Sequence, residues 1–485
     1  MESAGRAVAS VITREHAQAL AKGVIVVCGR GNNGGDGWVA ARALSALGVS
    51  VTAVALEGEA SPDNAANRAL AERQGVRVIG SRDEWGAHGL AVDAMLGTGA
   101  RGAPDAATAA AVDRLVRLGI PVVSIDGPTG MDLTSGIVHA PCVRAATTVT
   151  FGGFRRGHLL QRSMCGTIVV TDIGFPPGDA SWPAVVTDQW LSAVLSPFSA
   201  DMHKGDRGKV LVVGGAAGMA GAALFAARAA QRSGAGLVKL VAAPETVAAA
   251  QAHNPDIMCL PSALGEELEA EVLEALAWAD AIILGPGLGR NAARARFARR
   301  IIECCGPSLL IDADGLHALR GNDIGTLLAG KRALLTPHRG EFAVLFGDLA
   351  DTARRDPFAA ASAAADRCGQ AVLLKGVPTV CAAPALPPLV SAAGNPGLAT
   401  GGTGDVLAGM AATWLARGTP PQVAGAAAAH VHGRAAEDIA RHRSVRTMRP
   451  DDLLGVLSPI WRELATAERD LEAPVLARLE PPEIR

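Results

Sequence analysis

The 485-residue sequence contains no tyrosine, no CxxC pair and no apolar run approaching the roughly 20 residues that span a bilayer. Each absence removes a class of protein. The eight cysteines do not cluster with histidine at metal-ligand spacing, so neither a zinc site nor a disulfide scaffold is expected, and reduced thiols in a cytoplasm fit best. Cys304 and Cys305 are adjacent, as small apolar filler near a strand often is. The opening MESAGRAVASVITREHAQAL carries Glu2, Arg6, Arg14 and Glu15 where a secretion signal needs an unbroken apolar stretch. A formal charge of -2 provides no basic excess to attract nucleic acid, and the missing apolar span leaves no membrane to expect as a partner. The lack of tyrosine, with Arg far outnumbering Lys, reads as genomic base-composition bias.

What is present points to two cores. The length exceeds what one hydrophobic core organises, and 49% hydrophobic against 19% charged residues is enough to fill two. From Val24 to Thr171 the short apolar runs VIVVCG, VTAVAL, VRVIG, LAVDAML, PVVSID, TTVTF and GTIVV alternate with amphipathic segments. That alternation predicts parallel strands joined by crossover helices, a doubly wound α/β domain. Between Phe175 and Ala200 the sequence turns to Pro, Gly and Ser, periodicity is lost, and a linker is predicted. A second α/β series follows: KVLVVGG, LVKLVAA, AIILGPG, SLLIDADG, ALLTPH, AVLLKG and TVCAAP. The predicted domains are residues 1–182 and 186–467, with 468–485 a frayed tail of little periodicity.

Polar motifs fall at the strand ends, where open α/β sheets bind ligands. In CGRGNNGGDGW, glycines at 29, 31, 34, 35 and 37 allow a tight turn and close approach of a ligand, and the following helix start favours phosphate. Asn32, Asn33 and Asp36 offer side-chain oxygens to a cation or to ribose hydroxyls; a plain strand-to-helix turn with an Asx cap is the other explanation. Asp93 and Asp126 end two further strands, and either converge with Asn33 on a shared crevice or cap helices.

The second series is denser. Lys204, in MHKGDRGKV, either screens phosphate charge or is simply solvated. LGPGLG places the Gly287 amide at a sharp bend; DADGL carries Asp312 and Asp314, which meet substrate or cap a helix. TPHRGE sets His338 and Glu341 at another strand end, and LLKG offers Lys375 for phosphate oxygens. GNPGLATGGTGDVLAG, residues 394–409, holds six glycines; Gly401 to Gly404 precede a strongly helical run, and consecutive amides at its start form a cavity for an oxyanion. Asp405 lies in the first turn, either as a helix cap or as a functional carboxylate whose ionised form the helix dipole favours.

Over residues 1 to about 174, GNNGGDG, VDAMLGTG and SIDGPTG in this order resemble the NAD(P)H-hydrate epimerase domain, a Rossmann-like fold. The resemblance implies that Asn32, Asn33, Gly34, Gly35 and Asp36, the loop Gly97, Thr98, Gly99, Ala100, Arg101, Gly102 and Ala103, and Asp126 bind the hydrated nucleotide. It implies K+ held by Asn33, Asp93 and Thr129, with Asp93 also the acid/base. It further implies a helix ahead of the segment matching MESAG, and a Lys after the second strand that LEGEASP lacks. From about Val186 to Leu464, KGDRG, GPGLG, DADGL, TPHRGE, LLKG and NPGLATGGTGD are similar to the ribokinase-like, ADP-dependent NAD(P)H-hydrate dehydratase; Arg339 stands where relatives often have Pro.

That second resemblance implies hydrate contacts from Gly287, His338, Arg339, Gly340, Glu341, Phe342, Ala343, Val344 and Asp405, the last as catalytic base. It implies ADP, as co-substrate with Mg2+, on Lys375, Gly376, Val377, Pro378 and Thr379 and on Asn395, Pro396, Gly397, Leu398, Ala399, Thr400, Gly401, Gly402, Thr403 and Gly404. The function so implied is repair: epimerisation of R and S NAD(P)H hydrates and ADP-driven dehydration of the S form, by a cytoplasmic homo-oligomer. The rival readings are a ribokinase-like small-molecule kinase, and a dehydratase whose epimerase half is inactive.

Overall fold

Every residue of β1 (Val24–Cys28) is buried, as a strand covered by helices on both faces must be. The computed structural model describes residues 1–176, 178–195, 198–306, 308–466 and 475–482. All seven apolar runs expected in the first series are strands: β1, then β2 (Val51–Ala55), β3 (Arg77–Gly80), β4 (Leu90–Ala94), β5 (Val122–Ile125), β6 (Thr147–Phe151) and β7 (Thr167–Thr171). They pair in parallel in the order β7-β6-β5-β4-β1-β2-β3. The chain therefore runs outward from β1 in one direction and resumes beside it with β4. The two strands leave a crevice at their carboxyl ends, the ligand position of a doubly wound sheet. The helix Glu2–Glu15 packs its apolar stripe, including Val8, Val11 and Ile12, into this core.

The second unit begins at Asp179. Its strands are β8 (Ala184–Val185), β9 (Lys209–Val213), β10 (Leu237–Ala242), β11 (Met258–Pro261), β12 (Ala281–Leu284), β13 (Ser308–Ile311), β14 (Arg332–Leu335), β15 (Ala371–Leu374), β16 (Thr379–Ala382) and β17 (Leu389–Ser391). The sheet order is β11-β10-β9-β12-β13-β14-β15-β16-β17-β8, parallel through β15 and antiparallel from β15 to β17. The helices Ala220–Arg232 and Pro421–His442 bury mostly alanine in its core, Thr403–Ala416 mixes alanine with Leu407, Met410 and Trp414, and Pro450–Thr466 contributes Leu453, Leu454, Leu457, Ile460 and Leu464. No helix among the described residues is long and apolar enough to cross a membrane.

Two expectations need correction. The 175–200 stretch is not all linker: β8 pairs with β17, and Asp188–Val194 is a helix capped by Thr187, so the second unit starts earlier than residue 186. Ser196 and Pro197 lie outside the described residues. Nor is 468–485 a frayed tail throughout. Residues 468–474 and 483–485 lie outside the described residues, but β18 (Val475–Leu479) returns to the first unit and pairs antiparallel with β7. Leu479 is buried there, and Arg162 donates a hydrogen bond to the Glu480 carbonyl.

Candidate functional site

In the first unit the turn after β1 leads straight into the helix Asn32–Ala46, N-capped by Gly31. A cleft of about 780 Å³ opens beyond the strand ends, lined by Asn32, Asn33, Asp36, Gly97, Thr98 and Asp126, with Gly99 and Ala100 beside them. Asn33 and Asp126 do converge. Gly97 lies between them, where a Cβ would stand 3.1 Å from Asp126 Oδ2 and 3.3 Å from Asn33 Cβ, so only glycine fits without a shift. The Asp126 carboxylate accepts from Thr98 N at 2.8 Å and from Thr150 Oγ1 at 3.2 Å. Gly34 and Gly35 are buried within the turn. Arg101, Gly102 and Ala103 do not line the cleft, and Arg101 folds back onto the carbonyls of Thr98 and Ala100 at 2.9 and 2.7 Å.

Asp93, expected as the acid/base, lies deeper than Asp126. It is fully buried below the cleft floor and does not line it. Its carboxylate accepts four hydrogen bonds, from Thr129 Oγ1 (2.7 Å), Thr129 N (2.8 Å), Ser124 Oγ (3.0 Å) and Met95 N (3.3 Å). Burial pushes its pKa up, and those donors pull it back. The carboxyl facing the cleft with a perturbed pKa is Asp36, which burial and then the neighbouring Asp126 raise to about 7 against the pull of the chain's amino terminus.

Asn33, Asp93 and Thr129 form one oxygen-rich nest: Asn33 Nδ2 donates to the carbonyls of Leu96 (3.0 Å) and Ile125 (3.2 Å), and Leu96 N donates to Thr129 Oγ1 (3.1 Å). One carboxylate among neutral oxygens suits a monovalent cation better than a divalent one.

In the second unit, β13, β14 and β15 end side by side. Lys375 Nζ lies 2.7 Å from Asp312 Oδ1, which also accepts from Thr336 Oγ1 at 2.8 Å. Burial opposes the lysine charge, yet Asp312, Glu341 and Asp405 together hold its pKa above the ordinary ammonium value. The ammonium lies against the start of the helix Thr403–Ala416: a Cβ on Gly404 would stand 3.3 Å from Nζ. Asp405 follows in the first turn, half-buried. Burial, and then Asp312, Asp314 and Glu341, raise it to about 7 against the pull of Lys375. Of the first N–H groups of that helix, Thr403 N donates to the Thr400 carbonyl at 3.3 Å, and those of Gly404 and Asp405 have no intrahelical acceptor.

The remaining predicted residues divide by role. His338 N-caps the helix Arg339–Leu345: its Nδ1 accepts from Gly340 N and Glu341 N at 3.0 and 3.1 Å, and the Glu341 carboxylate accepts in turn from His338 N at 2.9 Å. His338, Gly340, Glu341 and Val344 line a small cavity of about 160 Å³ with Arg290 and His317. Phe342 does not belong to it, because its ring is fully buried against Phe346, and Ala343 is not among the lining residues. Arg339 reaches Gly376 instead. Gly287 presents its carbonyl to Ala216 N at 2.7 Å. Asp314 is occupied by Gly289 N and Arg290. In the 375–379 loop Val377 is exposed, and Thr379 Oγ1 donates to the Gly376 carbonyl.

In the 395–404 loop, Thr403 spends its hydroxyl on the loop carbonyls of Leu398 and Thr400, while Asn395 accepts from Gly397 N and donates to the Ala436 carbonyl of the helix Pro421–His442. Lys204 stands before β9, at the amino ends of the strands, away from this site. Among the described residues no three His, Cys, Asp or Glu side chains are grouped to hold a metal ion.

Several participants carry no sequence signal. Asn64 holds the Gly-rich turn through the carbonyls of Gly29 and Gly31 (2.9 and 2.6 Å) and receives Trp38 Nε1. Glu437 accepts from Gly394 N at 2.9 Å. His432, buried next to Thr403 with Nε2 unpartnered, is pushed down to about 4 by burial.

A parallel sheet that sets a lysine and a perturbed aspartate against an open helix start is the apparatus of a nucleotide-using α/β enzyme, and it is joined in one chain to a doubly wound unit with a second ligand cleft. Residues 210–458 match the family model described as NAD(P)H-hydrate dehydratase, and residues 1–157 match that of the YjeF-related protein N-terminus. The bifunctional NAD(P)H-hydrate repair enzyme of Salinibacter ruber is 38% identical, over 96% of this chain and 92% of its own. Its counterpart from Escherichia coli is 34% identical over 90% and 84%. The chain belongs to the family of bifunctional NAD(P)H-hydrate repair enzymes. A crystal structure of the ADP/ATP-dependent NAD(P)H-hydrate dehydratase from Bacillus subtilis, co-crystallised with ATP and Mg2+, superposes with a TM-score of 0.53 at 27% identity. It covers 59% of this chain and all of its own, and the second unit shares its ribokinase-like fold.

Proposed function

We propose that the second unit dehydrates the S form of NAD(P)H hydrate at the expense of ADP, and that the first interconverts the R and S forms. The observation that carries the dehydratase half is the placement of Asp405, raised to about 7, beside the Lys375–Asp312 pair at the start of the helix Thr403–Ala416. Asp405 takes the proton of the ring hydroxyl as that oxygen attacks the terminal phosphorus of ADP, and AMP leaves. The open N–H groups of the helix start and Lys375 stabilise the charge on the transferring group. The ring is left with a phosphate ester, a far better leaving group than hydroxide. Loss of a proton from the adjacent carbon and departure of phosphate restore the double bond, giving NAD(P)H, AMP and phosphate. Mg2+ would accompany the nucleotide phosphates and neutralise their charge.

In the first unit the hydrate occupies the cleft over Asn32, Thr98 and Asp126. We assign Asn33, Asp93 and Thr129 to a K+ ion, whose charge would anchor the cleft floor. Proton transfer falls to the carboxylates that face the ligand, Asp36 and Asp126, of which Asp36 is poised to give and take a proton near neutrality.

The test is to mix the purified chain with both hydrate epimers, ADP and Mg2+ and to follow reduced-nicotinamide absorbance. Full recovery supports both activities. Recovery that stops at the S fraction leaves the dehydratase alone, and a stable phosphorylated product would make the second unit a kinase of the same fold.

A further inference from the structure

His158 lies on the short helix Arg156–Leu160, completely buried next to the first-unit cleft, and belongs to none of the motifs that point to function. Both its ring nitrogens are engaged. Nδ1 accepts the backbone N–H of Arg155 at 3.0 Å, and Nε2 lies 2.7 Å from the backbone carbonyl of Asp126. A ring nitrogen that accepts an N–H carries no proton of its own, so the proton is on Nε2 and is donated to Asp126. The partners thus fix one tautomer. Burial, which pushes the ring down to about 4, keeps it neutral at physiological pH.

The residue so held is in an unusual conformation. Asp126 has φ of 67°, in the left-handed region that side chains other than glycine's enter at a cost. Its N–H donates to the Val149 carbonyl at 2.7 Å, and its own carbonyl receives the His158 proton. With the peptide pinned on both sides, the carboxylate is aimed at Thr98 N and into the cleft. Arg155, gripped through its N–H by the other side of the ring, also lines the cleft. Relaxation of Asp126 to a right-handed conformation would swing its carboxylate off Thr98.

We propose that His158 is a positioning residue for the epimerase site: one imidazole, locked in a single tautomer, clamps the left-handed backbone of Asp126 and the Arg155 end of the cleft in a fixed register. The inference rests on the epimerase reading given above. The same polypeptide supplies its control, because S-hydrate dehydration belongs to the other unit.

The experiment compares full-length wild type, His158→Leu and His158→Gln for R-to-S conversion and for S dehydration. Leucine keeps the bulk and removes the donor; glutamine keeps an Nε2–H donor of similar reach. The expected result is that His158→Leu raises KM for the R hydrate and lowers kcat/KM for epimerisation about tenfold or more. His158→Gln should recover most of that loss, with S dehydration equal in all three. Wild-type epimerisation kinetics in His158→Leu would overturn the proposal. So would a fall in kcat with KM unmoved, which signals a smaller folded fraction, or a glutamine variant no better than leucine. Wild type that consumes S hydrate but never R hydrate sinks the epimerase reading itself, before any variant is compared, and this proposal with it.

Discussion

The ammonium of Lys375 lies 2.7 Å from Oδ1 of Asp312, and this pair sets the ionisation of the carboxylate next to it. Lys375 pulls the pKa of Asp405 down, while burial, Asp312, Asp314 and Glu341 push it up. Replacing Lys375 by methionine should therefore move the ascending limb of the dehydratase pH profile upward by about one unit and weaken ADP binding. Profiles of kcat/KM from pH 5 to 10 read the shift, and an unmoved limb would show that Lys375 does not tune this group.

Asp405→Asn should lower dehydration by about 10²–10⁴-fold, the usual worth of a positioned base, while ADP still binds in calorimetry. In the unsubstituted enzyme kcat/KM should rise through about pH 7 as Asp405, raised to that value, gives up its proton. Near-wild-type turnover in the asparagine variant would remove Asp405 from the mechanism.

Asp36 makes a prediction of opposite sign for stability and for activity. Its folded pKa, raised to about 7, exceeds the ordinary carboxylate value of 3.8. Between those values the folded chain holds a proton that the unfolded chain has released, so the contribution to stability is present at low pH and lost as pH rises through 7. Asp36→Asn, which never ionises, should stabilise the first unit at pH 8, on the order of 3 kcal/mol, and have almost no effect below pH 4. The same variant should slow epimerisation. Denaturant titrations at the two pH values, paired with R-hydrate turnover, check both halves.

Ending the chain before Val475 should uncover the β7 edge. The expected outcome is a lower melting temperature for the first unit and concentration-dependent association through the free edge, with S dehydration unchanged. Scanning calorimetry and light scattering on the truncated chain measure both.

The strands that carry these sites are plain in the sequence, because buried parallel strands are continuous apolar runs and stand out as such. Asp405, Lys375, Asn33 and Asp126 are equally plain, since each belongs to a contiguous glycine-rich or strand-end motif. What the motifs do not convey is depth. Asp93 belongs to its motif as fully as Asp126, yet it is buried on β4, where Thr129 and Ser124 donate hydrogen bonds to its carboxylate. Phe342 likewise sits inside TPHRGEF but turns its ring into the core beside Phe346. Asn64, His158 and Glu437 act through backbone groups far away in the sequence, so no local pattern marks them. β18 was hidden for a different reason. It is an edge strand with exposed and half-exposed residues alternating, and only Leu479 is buried.

The return of β18 makes the second unit an insertion within the first. During synthesis the amino-terminal sheet has seven strands in hand while the entire dehydratase-like unit is still being made, and its eighth arrives with the last residues described. A chain that stops short of β18 therefore displays an unpaired β7 edge, whereas one that includes it conceals that edge. The docking of β18 is thus written in the hydrogen bonding of a single strand, β7, whose open edge it covers.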